Sequence, residues 1–257
     1  MRLRLTVSYD GSAFAGWQSQ RGGGTIQDAI EGAFQSIAGR PIPVHGAGRT
    51  DAGVHATGQC AHADVPDGIL PCSRWGQALN AHLPPAVRVM NVREAAPDFH
   101  ARFSAVGKVY RYSIWNAGIQ PPLMRDRTWH VPHQIDRNVL AFVCLGFSGR
   151  HDFAAFSARR ADGGKSTVRE LTSVGVSARG AAITLTFCGE GFLYKMVRML
   201  TAAAVRCAMG RADREEILSR LTLAGPRWNH VAPACGLCLV RVVYPPSGLA
   251  RFSDRVS

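Results

Sequence analysis

Leu3, Leu5, Val7 and Tyr9 alternate with Arg2, Arg4, Thr6 and Ser8, the two-residue period of a strand with one buried face. Asp10-Gly11-Ser12 breaks that period. Ile26, Ile30, Phe34 and Ile37 then recur at helical spacing; Thr25 is placed to cap the first turn, and Gly39 and Pro41 stop it. Gly22 to Gly24, ahead of this helix, lack the lysine of a phosphate loop and the spacing of a dinucleotide loop, so they read as a connector. A short apolar run and then Thr57 to Ala63 predict two strands. Ser73 opens a helix through Trp75, Ala78 and Leu79 that Pro84-Pro85 ends, and Val87, Val89 and Val92 predict another strand. The order is β-α-β-β-α-β.

The second half repeats it. Lys108 to Asn116 is a strand, and Asp136 caps a helix with Leu140, Val143 and Phe147 inward. Val168 to Val176 and Ala182 to Cys188 are strands joined at Ala178-Arg179-Gly180. Phe192, Met196, Leu200, Ala203 and Cys207 line a helix ending at Gly210, Asp213 to Glu216 cap an added helix, and Gly236 to Tyr244 close the half before Pro245-Pro246. The expected fold is α+β: two β-α-β-β-α-β halves of the ferredoxin type, with antiparallel sheets side by side around a basic cleft. Single-strand RNA binders use the same unit. The halves divide as 1–105 and 106–246, with the crossing at 94–107 and a loosely held tail over 247–257.

With 257 residues, 46% of them hydrophobic, the chain can bury real cores. No apolar run reaches the roughly 18 residues of a membrane span, and the N-terminus reads as a strand, not a leader. Seven cysteines without framework spacing suggest reduced thiols and a cytoplasmic location. Cys235-Gly236-Leu237-Cys238 is a lone pair in an apolar strand, short of a zinc site. Lys plus Arg number 30 against 18 Asp plus Glu, a formal charge of +12 weighted to arginine and spread over the chain, which points to nucleic acid as partner.

The candidate chemistry centres on Gly46-Ala47-Gly48-Arg49-Thr50-Asp51-Ala52-Gly53-Val54-His55, a glycine-rich loop between strands with one cation and one carboxylate. Arg198 and Lys195 are three apart on a mostly apolar helix, where a buried charge needs a partner; Asp51 qualifies. Alternation puts Tyr110 and Tyr112 on one strand face, and Tyr110 could stack on a base while Tyr112 reads as core. His100 and Arg102, upstream, could meet phosphates. His45, His55 and His62 are too dispersed to read as metal ligands.

These stretches resemble the tRNA pseudouridine synthase A family. The ten-residue loop motif carries the resemblance, with Tyr9-Asp10-Gly11-Ser12, Phe14, Gly16-Trp17-Gln18, Asp98 to Ala105, Tyr110-Arg111-Tyr112, His151-Asp152-Phe153 with Phe156, Phe192 to Arg198, Ala232-Pro233 and Gly236-Leu237, in order from Leu3 to about Pro245. The resemblance implies an isomerase that turns uridine into pseudouridine at positions thirty-eight to forty of the tRNA anticodon stem-loop. It implies Asp51 as the catalytic residue, Arg198 as its pair, Arg49 acting on the flipped base, Tyr110 stacking on the uracil and Leu237 packing beside it. Phe192, Lys195, Arg102 and His100 would bind substrate. It further implies a homodimer with no metal and no cofactor. Cys60 and Ala63 replace larger apolar residues, Thr201-Ala202-Ala203 replaces a usual Val-Gly, and Val231 replaces a frequent threonine; all four departures read as packing changes.

Asp51 could attack covalently or take a proton, and the residues leave both open. Arg198 would supply the opposite charge that a carboxylate needs in a dry pocket. A non-catalytic RNA binder would need Tyr110 and the basic cleft but not Asp51, and a metal-dependent nuclease would need carboxylate clusters that the sequence lacks.

Overall fold

The computed structural model describes residues 1–158, 166–222 and 226–245, so the tail expected at 247–257 lies outside the described residues. Strand β1 (Arg2–Tyr9) buries Leu3, Leu5, Val7 and Tyr9, as its alternation predicts. Helix α1 (Ile26–Ala38) starts at Thr25, whose hydroxyl accepts from Asp28 N while the Asp28 carboxylate accepts from Thr25 N. Strand β2 is only His45–Gly46, so the apolar run before it is not strand, and β3 is longer than expected, His55–Asp64. Helix α2 (Cys72–His82) begins one residue before Ser73, after Pro71, whose fixed φ suits a helix entry. Strand β4 is Val87–Glu94.

The second half contains β5 (Gly107–Trp115), β6 (Trp129–His130), α3 (Arg137–Gly146), β7 (Gly149–Asp152), β8 (Val168–Arg179), β9 (Ala182–Gly189), α4 (Met196–Ala208), α5 (Arg214–Ser219) and β10 (Leu237–Val243). The Asp136 carboxylate accepts from Asn138 N and Val139 N, and that of Asp213 from Glu216 N, as capping predicts. Several boundaries differ from the sequence reading by a residue, β6 and β7 have no counterpart in it, and two differences are larger. Strand β8 runs on through Ala178 and Arg179, paired with Ile183 and Ala182, which leaves Gly180-Ala181 as the turn. Helix α4 begins at Met196: Lys195 precedes it at φ 60, and Phe192 to Tyr194 approach as a loop.

All ten strands of the described residues form one sheet along the path β4-β1-β3-β10-β5-β9-β8-β7, with β2 on β3 and β6 on β5. Each half keeps the order fourth-first-third-second: β4-β1-β3-β2, then β10-β5-β9-β8. The expected pair of antiparallel sheets is therefore one sheet with a parallel seam. Strand β10 runs parallel to β3, Cys238 opposite His55 and Leu239 opposite Ala56, and antiparallel to β5.

Two strands share one edge of β3. Strand β2 takes Ala61 and His62, and β10 takes His55 and Ala56. Gly58 lies between them, where a Cβ would sit 2.2 Å from the Val240 carbonyl oxygen, so only glycine lets β10 close against β3. Residues 47–54 leave the sheet at this fork, near its middle.

The row Tyr9, Ala56, Leu239, Tyr110, Phe187 is in register across five strands, and every member is buried. Residues opposite one another project to the same face, so both halves present one common covered face. Full burial of each large apolar side chain in that row contributes about 1.5–3 kcal/mol.

Candidate active site

The loop at the fork is held on two sides. On the first, the strap 9–18 lies against it. The Tyr9 hydroxyl is 2.8 Å from the Thr50 hydroxyl, Trp17 N donates to the Thr50 carbonyl at 3.0 Å, and Gly53 N donates to the Phe14 carbonyl. Beneath, Gln59 Nε2 donates to the Gly48 carbonyl at 2.8 Å. Gly11 is where the strap comes nearest: a Cβ there would lie 2.0 Å from the Val54 carbonyl oxygen. We expect Gly11→Ala to push the loop away, at a cost of about 1–3 kcal/mol of stability and with most of the turnover lost. Melting curves beside single-turnover rates check this; unchanged values of both would show that the strap does not hold the loop.

On the second side stands α4. Arg198 Nη1 donates to Asp51 Oδ2 at 2.7 Å, with the two side chains only 14% and 21% exposed. The same guanidinium donates from Nε to the Ala232 carbonyl at 2.8 Å, and Ala232 N donates back to the Arg198 carbonyl at 3.1 Å. The Ala232 segment is itself fixed, because the Tyr112 hydroxyl donates to the Pro233 carbonyl at 2.7 Å. Tyr112 is thus core with a structural hydrogen bond. The arginine is preset, and the carboxylate is aimed by two halves of the chain 147 residues apart.

Tyr110 sits on the floor of the site, 8% exposed, with Phe192 edge-on to its ring at 4.9 Å. Burial raises its phenol above the ordinary range, and the charge of Asp51 raises it further, so the hydroxyl stays protonated. Leu237 is buried on the same covered face, opposite Tyr112. Phe192 thus reaches the site from the loop before α4.

The remaining sequence candidates are placed less centrally. Arg49 is exposed, and its Nε donates to Gln18 Oε1 at 3.2 Å. The Lys195 ammonium lies 5.1 Å from the centre of the Tyr194 ring. Arg102 is exposed over the Phe103 ring. His100 packs at 4.6 Å on His62, which in turn lies 5.0 Å from His45, and His100 Nδ1 accepts from Arg102 N. His45 and His62, dispersed in the sequence, are cross-strand neighbours. Burial and the two neighbouring imidazoles push His62 down to about 4, so it is neutral at pH 7. Among the described residues no group of three or more His, Cys, Asp or Glu is arranged to hold a metal ion. The cysteine pair is divided: Cys235 Sγ meets the Thr128 carbonyl at 3.6 Å, while Cys238 pairs across the sheet with Arg111.

Several contributors escape periodicity. The segment between β5 and α3 is tied to the strap by Arg127, whose Nη2 donates to Asp10 Oδ2 at 2.8 Å. His55 Nε2 lies 3.2 Å from the Cys235 carbonyl oxygen. Tyr9, Thr50 and Gln59 form the brace of the Asp51 loop; alternation marks Tyr9 only as a buried strand position, it and Thr50 lie in the quoted motifs, and nothing marks Gln59 as a brace. Cys60, Ala63 and Thr201 are buried, as packing changes should be, whereas Val231 is 37% exposed beside the Ala232 that holds Arg198.

A family model described as tRNA pseudouridine synthase matches residues 5–104 and 143–245. A protein of Akkermansia muciniphila called tRNA pseudouridine synthase A is 43% identical over 252 residues, covering 95% of both chains. One of the same name from Solidesulfovibrio magneticus is 47% identical over 260 residues, covering 97% of this chain and 93% of its own. A third, from Methylacidiphilum infernorum, is 40% identical over 245 residues, covering 95% of each.

Proposed function

The chain belongs to the tRNA pseudouridine synthase family, and we propose that it modifies uridines thirty-eight to forty of the tRNA anticodon stem-loop with Asp51 as its catalytic group. It is an isomerase that converts uridine in tRNA to pseudouridine. The observation that carries the assignment of roles is the Asp51–Arg198 pair beside a buried aromatic floor.

The reaction breaks N1–C1′, turns the uracil and joins C5 to C1′; the C5 proton leaves and N1 gains one. Atoms balance without a co-reactant, so a carboxylate at the sugar–base junction and a surface that holds the free ring are enough. Asp51 supplies the first, as nucleophile or as base. Arg198 fixes the direction of the carboxylate and complements its charge. Tyr110 with Leu237 and Phe192 offers an apolar seat for the ring, since base–aromatic stacking is worth about 1–3 kcal/mol. Arg49 acts on the flipped base, and Lys195, Arg102 and His100 serve RNA binding around it. A base in a stem must first leave the stack at a cost of a few kcal/mol, and backbone contacts offset this. The location is the cytoplasm, where tRNA is met, and the assembly is a homodimer, on the family resemblance.

The test is tritium release from C5-labelled uridine in an unmodified tRNA, run after exhaustive chelation with monovalent salt holding the RNA fold. Release at the untreated rate supports the reading; loss that a metal ion restores contradicts it. Binding should also be strongly salt-dependent, given the charge of +12. We expect a log–log slope of several units, at about 0.7–0.9 per phosphate contacted; a nearly flat titration would refute the electrostatic grip.

A further inference from the structure

Lys108 is the second residue of β5, the strand that carries Tyr110. Two residues of strand, about 6.8 Å, separate the pair, and alternation turns both toward the same face. The lysine stem runs beside the Asp51 loop: a Cβ on Gly48 would lie 3.2 Å from Lys108 Cε and 3.7 Å from Nζ. Glycine at position 48 therefore leaves the room that this side chain occupies. The Gly48 carbonyl already accepts from Gln59. Among the described residues no hydrogen bond or ion pair reaches the ammonium.

Such a group is costly, since a charge partly withdrawn from water needs a partner. The neighbouring charge is Arg102, another cation; burial and then Arg102 both pull the lysine below its ordinary range. Two cations without a counter-charge call for a full anion, not for a neutral carbonyl. We propose that Lys108 is the seat of one backbone phosphate of the bound tRNA, next to the nucleotide whose base meets Tyr110. The inference rests on the reading of the chain as a tRNA-modifying isomerase. A compact ammonium on a flexible stem binds phosphate as a point charge, and backbone contacts fix register without reading sequence. Lys108 thereby sets which base of the strand falls on Tyr110.

The test uses the full chain and an anticodon hairpin in which single linkages are made neutral as methylphosphonates. Binding is measured with Lys108→Met and Lys108→Arg in an Asp51→Asn background, so that the RNA is not turned over. Lys108→Met should weaken the unmodified hairpin about tenfold, as for one charge-assisted contact, and lower the salt slope by about 0.7–0.9; Lys108→Arg should restore most of both. At one linkage the neutral hairpin should cost the lysine protein its affinity and cost Lys108→Met nothing more. Penalties that add at every linkage, or an unchanged salt slope, overturn the inference. Lys108→Gln replaces the methionine variant if melting shows that the latter is unfolded. Failure of the wild-type chain to modify the unsubstituted hairpin would strike the functional reading instead, which keeps the two apart.

Discussion

Asp51→Asn is expected to fold, to bind tRNA as the wild-type chain does, and to form pseudouridine about a thousandfold more slowly or worse. The substitution removes a charge with almost no change of volume. The hydrogen bonds that hold the loop on the strap and on β3 run through Thr50, Gly48 and Gly53, so they survive the change; among the described residues only the contact with Arg198 involves the Asp51 side chain. What is lost is the nucleophile or base, and each factor of ten is about 1.4 kcal/mol of barrier. Stability should fall too. Removing one member of a fully buried pair costs about 3–5 kcal/mol; here the side chains are 14% and 21% exposed and Arg198 keeps the Ala232 carbonyl. A loss nearer 1–2 kcal/mol follows, or a few degrees in Tm. Single-turnover rates with saturating protein, beside melting curves, read both effects. A folded variant that isomerises at near wild-type rate would remove Asp51 from the mechanism.

Tyr110→Ala should lose turnover far more than binding. The ring is 8% exposed and packed by Phe192, so truncation leaves a cavity and costs about 3 kcal/mol of stability. The uracil loses its floor, and turnover falls by about a hundredfold or more, whereas phosphate contacts supply most of the affinity and remain. Tyr110→Phe keeps the ring and should be much the milder change. Activity of the phenylalanine variant equal to wild type would leave stacking as the whole contribution, and strong impairment would assign a step to the hydroxyl beside Asp51. Binding lost wholesale in the alanine variant would contradict this division of labour.

The local signals that periodicity and caps provide were legible: β1 by its alternation, α1 by Thr25, α3 by Asp136, and the β-α-β-β-α-β order of each half, the short β6 and β7 excepted. The parallel seam was not. Strands β3 and β10 meet across some 180 residues, and no local period encodes a pairing of that separation. The start of α4 was misplaced because Phe192 and Met196 keep helical spacing across a stretch that Lys195 breaks at φ 60. A lysine in the left-handed region gives no sign of itself in sequence. Arg198 could be matched to Asp51 beforehand because a charge on an apolar helix demands a partner. Lys108 could not, because the sequence marks it only as the first residue of a strand, and its place beside the Asp51 loop with a second cation near by is a fact of the folded chain. The segment between β5 and α3 has neither period nor motif, so the Arg127–Asp10 tie had no signal at all.

The most direct measurement is to incubate an unmodified tRNA transcript with the protein, with no added metal or cofactor, and to map pseudouridine nucleotide by nucleotide. The account predicts mass-neutral conversion confined to positions thirty-eight to forty, given by the wild-type chain and absent with Asp51→Asn. Conversion elsewhere in the tRNA would contradict the assignment to the anticodon arm, and conversion by Asp51→Asn at the wild-type rate would contradict the site.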